Sequence, residues 1–411
     1  MAEAAVQFQK GLDQLKLLPD TRKRTRQELE LHSALGAASF AVKGFAAPET
    51  GRAYARAREL WEQLGSPSES LQVPYAQSLY HSFRGEFDLA MRLDEDLMRL
   101  SRQRNNATGL LLAHQCFGRN LSFRGRFSSS RSHLENALAL YDMTAHRSFM
   151  HQASMPSQVQ SRAYLGIVLF FLGFPDQALA QSNGAIAEAR GLAHPPSLAA
   201  SLTLGVRLLS LLGDDASLAT RVDQLVAVAT EQEFPVWDAV GTIYRGWLRI
   251  RCGDVAGGTS LLRSGSIAYR ATEAQAWVPH QIALLAAACE IAGQVEEGLT
   301  LLDEALQMVE STGERSQQAE LNRHKGRLLL RQAQIDAAEE LYSNALSIAR
   351  EQGAKLWELR AASSLARLRR DQGRRVEARK LLAPVYGWFT EGFDTPDLKE
   401  AKALLDELGG A

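Results

Sequence analysis

The chain has 411 residues, 45% hydrophobic and 23% charged, with a formal net charge of −1; this excludes a disordered chain and gives no reason to expect a nucleic-acid partner. Cys116, Cys252 and Cys289 lie too far apart for a metal-ligand set or a disulfide framework, so a reducing cytoplasm is the expected setting. No apolar run reaches the roughly 18 residues of a membrane span, and Met1-Ala-Glu-Ala-Ala-Val-Gln-Phe lacks the basic-then-apolar order of a signal peptide.

In chain order, the first segment (about 2 to 17) carries Val6, Phe8, Leu12 and Leu15 at helical spacing. In the register of the repeats that follow, Ala4, Phe8 and Gly11 fall on second-helix positions. The segment reads as half a unit whose first helix is missing. The expectation is a fragment, or an open end that docks on another domain or chain, with an uncovered apolar side.

Further on, one turn signal recurs. Gly85, Gly125, Gly173, Gly213, Gly253, Gly293, Ala333 and Gly373 are 40 residues apart, except for 48 between Gly125 and Gly173. A period of this size is the mark of one supersecondary unit stacked many times. Small residues stand five after the turn (Ala90, Ser130, Ala178, Gly258, Gly298, Ala338, Ala378) and seven before it (Ser78, Gly118, Gly166, Gly246, Ala286, Gly326, Ala366). Such pairs let two helices approach closely, with larger residues in the grooves between them. Leu299, Leu301, Leu302, Ala305, Leu306 and Val309 form a second-helix stripe, repeated by Leu341, Tyr342, Ala345, Leu346 and Ile348. Ala, Leu, Glu, Gln and Arg dominate, which is helix-former composition.

The extra residues near 142–155 read as a polar loop insertion. Asp142, His146 and His151 are the best metal candidates there. The two histidines are five apart, off the spacing of a helical zinc pair, so no metal is expected. The predicted fold is an all-α, right-handed solenoid with a period near 40 residues. It comprises about nine helix pairs in one domain over 1–411, with an incomplete N-terminal unit.

Signatures of catalysis are missing from the sequence. There is no Gly-x-x-x-x-Gly-Lys-Ser/Thr, no Gly-x-Ser-x-Gly elbow and no His-Glu-x-x-His. The acids Glu296-Glu297 follow a turn and suit a helix N-terminus rather than acid–base chemistry. No cofactor is expected, and the chain itself is not expected to be an enzyme.

The pattern of a small residue before the turn, Gly at the turn and small residues after it resembles the tetratricopeptide repeat, with units about six residues longer than usual. A narrower resemblance rests on Leu18-Pro-Asp-Thr, Gly44-Phe-Ala-Ala-Pro-Glu, Ala53-Tyr-Ala-Arg-Ala-Arg-Glu-Leu and the string from Leu381 to Thr395. These look like the C-terminal region of bacterial proteins that join a class III adenylate or guanylate cyclase to an AAA-type ATPase. Met150-His-Gln-Ala-Ser-Met-Pro departs from that pattern, which expects a Gly-Gln-Asp-type turn there.

The tetratricopeptide resemblance implies a concave face lined by first helices. Its groove positions fall on Arg323, Arg327 and Arg331, then on Arg360, Arg367 and Arg370, so an acidic peptide is the ligand type expected there. In earlier units the same template selects Phe123, Phe171 and Trp247, an aromatic stripe of the kind that marks a binding surface when exposed. The expected function is a protein–protein interaction or regulatory sensor region of a bacterial signalling protein, biasing an attached or separate ATPase or cyclase. The alternatives are the tail of an enzyme with cyclase activity, or a free-standing structural adaptor.

Overall fold

The computed structural model describes residues 2–67, 70–141 and 156–409. Asp142, His146 and His151, with the whole segment 142–155 expected as an insertion, lie outside these residues. Twenty α-helices and no strand occur among the described residues, and 82% of the structure is helical. In order they are α1 (Ala2–Leu15), α2 (Arg22–Lys43), α3 (Pro48–Gln63), α4 (Gln72–Phe83), α5 (Phe87–Gln103), α6 (Ala107–Phe123) and α7 (Phe127–Ala139). Then come α8 (Ser157–Phe171), α9 (Pro175–Gly191), α10 (Pro195–Leu212), α11 (Asp215–Glu231), α12 (Pro235–Arg251), α13 (Val255–Ala271) and α14 (Val278–Ile291). The last are α15 (Val295–Thr312), α16 (Gln318–Arg331), α17 (Ile335–Gln352), α18 (Lys355–Asp371), α19 (Arg375–Tyr386) and α20 (Pro396–Gly409).

Every predicted turn residue from Gly85 to Gly373 has positive φ, including Ala333 at 59°. Each ends its first helix in the same way. The N–H after the turn residue reaches back to the carbonyl five earlier, as in Glu86 to His81 (3.0 Å) and Gln334 to Leu329 (3.0 Å). This left-handed cap satisfies carbonyls that would otherwise be orphaned. Close helix approach follows from small residues: a Cβ on Gly246 of α12 would lie 2.6 Å from the Gly258 carbonyl oxygen of α13.

The solenoid winds tightly enough for successive superhelical turns to touch. The Phe83 carbonyl accepts from the Gln275 and Ala276 N–H groups (2.8 and 3.2 Å), and the Phe123 carbonyl from the Ser316 N–H (3.0 Å). Aromatic pairs run along the same seam. Phe45 meets Trp237 at 5.3 Å, Phe123 meets Trp277 at 5.4 Å, and Phe171 meets Trp357 at 5.4 Å between ring centroids. One continuous apolar core from Phe40 to Leu408 results, with a second cluster around Trp61, Leu97 and Leu112.

The string from Leu381 to Thr395 closes this seam at its far end. Trp388 packs edge-on against Phe174 at 5.5 Å. Glu391 accepts from the Asp176 and Gln177 N–H groups at the start of α9 (2.9 and 3.1 Å), and the Gly392 N–H donates to Asp176 (3.1 Å). A carboxylate is well placed at a helix N-terminus.

Helix α10 is long and apolar enough to cross a membrane by length and composition, with 83% of it buried inside the fold. It is therefore a core helix here, and its Arg207 guanidinium lies over Trp277 at 4.5 Å. At the N-terminus, α1 ends at Leu15, and Leu12 and Leu15 are buried while Val6 is exposed.

Candidate functional site

First helices α10, α12, α14, α16 and α18 and the start of α20 enclose a concave cavity of about 440 Å³. Spacing of four residues puts Arg323 and Arg327 on one face of α16, and Arg360 with Ser364 on one face of α18. Five of the residues expected in a partner groove line the cavity: Arg323, Arg327, Arg360, Arg367 and Trp247. Arg251, Asp215, Asp397 and Glu400 join them.

Arg360 organises the floor. Its Nε and Nη2 donate to the two oxygens of Asp397 at 2.9 and 2.8 Å, Nη1 donates to Glu320 at 3.2 Å, and Nη2 also reaches the Leu211 carbonyl at 2.6 Å. Its guanidinium lies over the Trp357 ring at 4.9 Å. Burial alone would lower the pKa of Arg360, but Asp397 and Glu320 outweigh it and hold the group charged. Glu320 is the mirror case. Burial would raise its carboxyl, yet Arg323 and Arg360 hold it well below the ordinary range. Arg323 forms a bidentate pair with Glu320 at 2.7 Å through each nitrogen. Burial pushes His280 down to about 3 and His324 down to about 4, so both are neutral at physiological pH.

The mouth differs from the floor. Arg327 pairs with Glu290, Arg367 with Glu400 (2.8 Å) and Arg251 with Asp215 (3.0 Å), and these three guanidinium side chains are 39%, 40% and 46% exposed. Exposed pairs of this kind are worth only about 0–1 kcal/mol. An incoming carboxylate can therefore displace the partner of Arg367 or Arg251 at small cost, whereas Glu290, the partner of Arg327, is only 9% exposed and is held more firmly. The buried pairs of Arg323 and Arg360 are fixed, because breaking them strands a buried charge.

The other expected groove residues lie elsewhere. Arg331 is exposed and lines a shallow depression next to the cavity with Arg327, Leu330 and Ile291. Arg370 is occupied by Asp371 and Glu407, both at 2.8 Å, outside the cavity. Phe123 and Phe171 are buried, at 1% and 0% exposure, and form no surface stripe. The template placed them in an open groove, but Trp277 and Trp357 of the next superhelical turn cover them.

Sequence reasoning passed over Trp237, Trp277 and Trp357, although their separations of 40 and 80 residues match the repeat. It also missed α20, whose Asp397 and Glu400 supply two of the cavity's acids.

No protein-family model matches the sequence, and no curated protein matches it. Solved structures do. A Rap protein complexed with Competence and Sporulation Factor superposes with a TM-score of 0.60 at 13% identity, covering 85% of this chain and 93% of that one. The Rap conjugation gene regulator of the plasmid pLS20, in complex with the Phr peptide, gives 0.52 at 10% identity, covering 93% of this chain and 96% of that one. At these identities the likeness establishes the fold alone: a tetratricopeptide-like, all-α solenoid.

Proposed function

We propose that the chain is a non-catalytic, peptide-binding regulatory module whose ligand occupies the concave cavity. The observation that carries this reading is the split between a cemented floor and a loosely paired mouth. Arg360, Arg323 and Glu320 give the cavity its shape, while Arg367 and Arg251 offer guanidinium groups with displaceable partners and Arg327 adds a part-exposed guanidinium beside them. Half-buried Trp247 stands beside them as an apolar contact. A short peptide with an acidic side chain or a free carboxylate suits that mouth. Two solved proteins of this fold carry a factor and a peptide respectively, which supports the choice of ligand class.

In a regulatory role, ligand binding would change the pitch of the solenoid and so bias a partner. The resemblance carried by the Leu381–Thr395 string favours an ATPase or cyclase as that partner, in the same polypeptide or another, in a bacterial cytoplasm. That string also holds α9 across the superhelical seam, which makes it a sensible place to transmit a change of pitch.

The test uses a pool of synthetic hexapeptides with one acidic position fixed, read by fluorescence anisotropy. Some should bind the full chain and weaken as salt rises. The double change Arg327→Glu and Arg367→Glu should abolish that binding while leaving the helical circular dichroism intact. Equal binding by the double variant would move the site out of the cavity, and no binding by any peptide would end the reading. Purified chain should also hydrolyse no ATP and make no cyclic nucleotide; activity that survives repurification would refute the non-catalytic assignment.

A further inference from the structure

We propose that the cleft between α13 and α15, floored by the outward side of α14, binds a small uncharged molecule bearing an amide on a branched aliphatic body. The cleft lies on the opposite face of α14 from the concave cavity. Val278, Gln281, Ile282 and Leu285 face it, whereas His280, Ala283, Leu284 and Ala287 face the cavity.

The repeat itself marks this junction as different. Thirteen residues after each turn, the second helix presents a side chain to the first helix of the next unit. At the other junctions that residue is Met98, Leu138, Ile186, Val226, Leu306 or Leu346. At this junction it is Ser266. The loss of a branched or long apolar side chain leaves a space of about 200 Å³. At about 30 Å³ per water, that is room for roughly seven waters, smaller than the cleft of a drug-sized ligand.

The floor carries a longer polar side chain than any other junction. Across from Ser266, the position occupied by Ala113, Ser161, Ser201, Gly241, Leu321 or Ala361 elsewhere holds Gln281. Gln281 is only 4% exposed, and neither its carboxamide nitrogen nor its oxygen has a hydrogen-bond partner. The Ser266 hydroxyl, 8% exposed, also has none. Ser161 and Ser201 at the same register also lack partners, but Gln281 alone among these positions sets both a donor and an acceptor, each costly to leave unpaired, against an open cleft.

The chemistry of the ligand follows from these groups. A carboxamide presents an N–H donor beside a carbonyl acceptor, and another amide matches both at once. A carboxylate cannot donate and an ammonium cannot accept. The rim adds no net charge, because Arg263 pairs with Glu297 and Arg270 with Glu304 (2.9 Å) across the mouth. Ile267, Ile282, Leu285 and Leu301 supply walls for an aliphatic body, and Ile267 is 70% exposed at the entrance.

The probe is isovaleramide, titrated into the full chain and followed at the side-chain amide resonances of Gln281. The expected result is a saturable, one-site shift with a dissociation constant on the order of 1 mM, as fits so small a ligand. The N,N-dimethyl amide of the same acid, which lacks the N–H donors, should bind about tenfold more weakly. Ser266→Leu restores the side chain used at other junctions, and it should abolish the shift while raising the Tm by filling the space. Gln281→Leu should weaken binding about tenfold and keep the fold. No saturable shift in the wild-type chain would overturn the proposal. So would binding that Ser266→Leu leaves unchanged, or equal affinity for the dimethyl amide. Should Ser266→Leu misfold, the Gln281→Leu and dimethyl-amide comparisons decide the matter.

Discussion

Two residues before each turn, the first four full units carry Phe83, Phe123, Phe171 and Leu211, and the last four carry Arg251, Ile291, Arg331 and Asp371. The first set is buried, at most 7% exposed; the second set is exposed throughout. Both sets occupy the same place in the repeat. They differ in what comes one superhelical turn later. Phe83 meets Gln275 and Ala276, Phe123 meets Trp277 and Ser316, Phe171 meets Trp357, and Leu211 meets Arg360. Register within the repeat decides which way a side chain points. Position along the superhelix decides whether it meets protein or water, and so whether it is core or binding surface.

The strongest way to break this comparison is to remove a cover. Trp357 is 1% exposed, touches Phe170 and Phe171, and donates its indole N–H to the Ser316 carbonyl at 3.0 Å. Trp357→Ala should cost about 3–5 kcal/mol in urea denaturation, the range for a large aromatic removed from a packed core. The same change at half-buried Trp247 should cost much less. Equal losses at the two positions would show that the seam is not what holds the early units.

A second test uses pH at the seam. Glu314 is 1% exposed and accepts the Trp277 N–H at 3.1 Å. Burial pushes its carboxyl up to about 8, although the Trp277 N–H and Arg207 pull it back. The folded chain therefore holds a proton that the unfolded chain, titrating near 4.5, has lost. Stability from this group is greatest below the unfolded value and declines as pH rises towards about 8, by up to about 1.4 kcal/mol per pH unit. Glu314→Gln removes the titration. The difference in stability between variant and wild type should grow in the variant's favour from pH 5 to pH 8. A difference that does not change with pH would show that Glu314 titrates normally.

Much of this was readable from residues. The eight turn positions, the all-helical fold and the small-residue approaches follow from local sequence, because a left-handed cap and a helix–helix crossing are set by a few neighbours. What was not readable is contact between superhelical turns. Phe123 and Trp277 are 154 residues apart in sequence order, and no period links a phenylalanine at one register with a tryptophan at another. The same blindness put Phe123 and Phe171 in a groove. Arg323, Arg327, Arg360 and Arg367 line the concave cavity because α16 and α18 have no later superhelical turn over them, which is the condition the template assumes. Asp397 and Glu400, the acidic partners of Arg360 and Arg367, sit on α20, outside the repeat pattern.

A smaller effect should come from the clasp that ends the seam. Glu391 caps α9 through the Asp176 and Gln177 N–H groups and the Gln177 side chain (2.8 Å). Glu391→Ala removes a cap, for which about 1 kcal/mol is the usual loss. Glu391→Asp should recover part of it. Amide exchange should speed up in the first turn of α9 before it does in α10. Unchanged exchange there would separate the Leu381–Thr395 string from the stability of α9.

The smallest effect belongs to the uncovered end of the comparison. Arg331 is exposed, stands at the register of Phe171, and lines only the shallow depression beside Leu330. Among the described residues nothing packs over it from a later superhelical turn, so Arg331→Ala should change stability by no more than about 0.5 kcal/mol, the scale of surface substitutions. Phe171→Ala, two residues before its own turn just as Arg331 is, should cost about 3–5 kcal/mol because Phe127 and Trp357 both lose an aromatic partner. The ratio of these two numbers, measured under one denaturant protocol, reads coverage directly. If Arg331→Ala proved as damaging as Phe171→Ala, the repeat register alone would govern stability, and the distinction between covered and open concave surface would collapse.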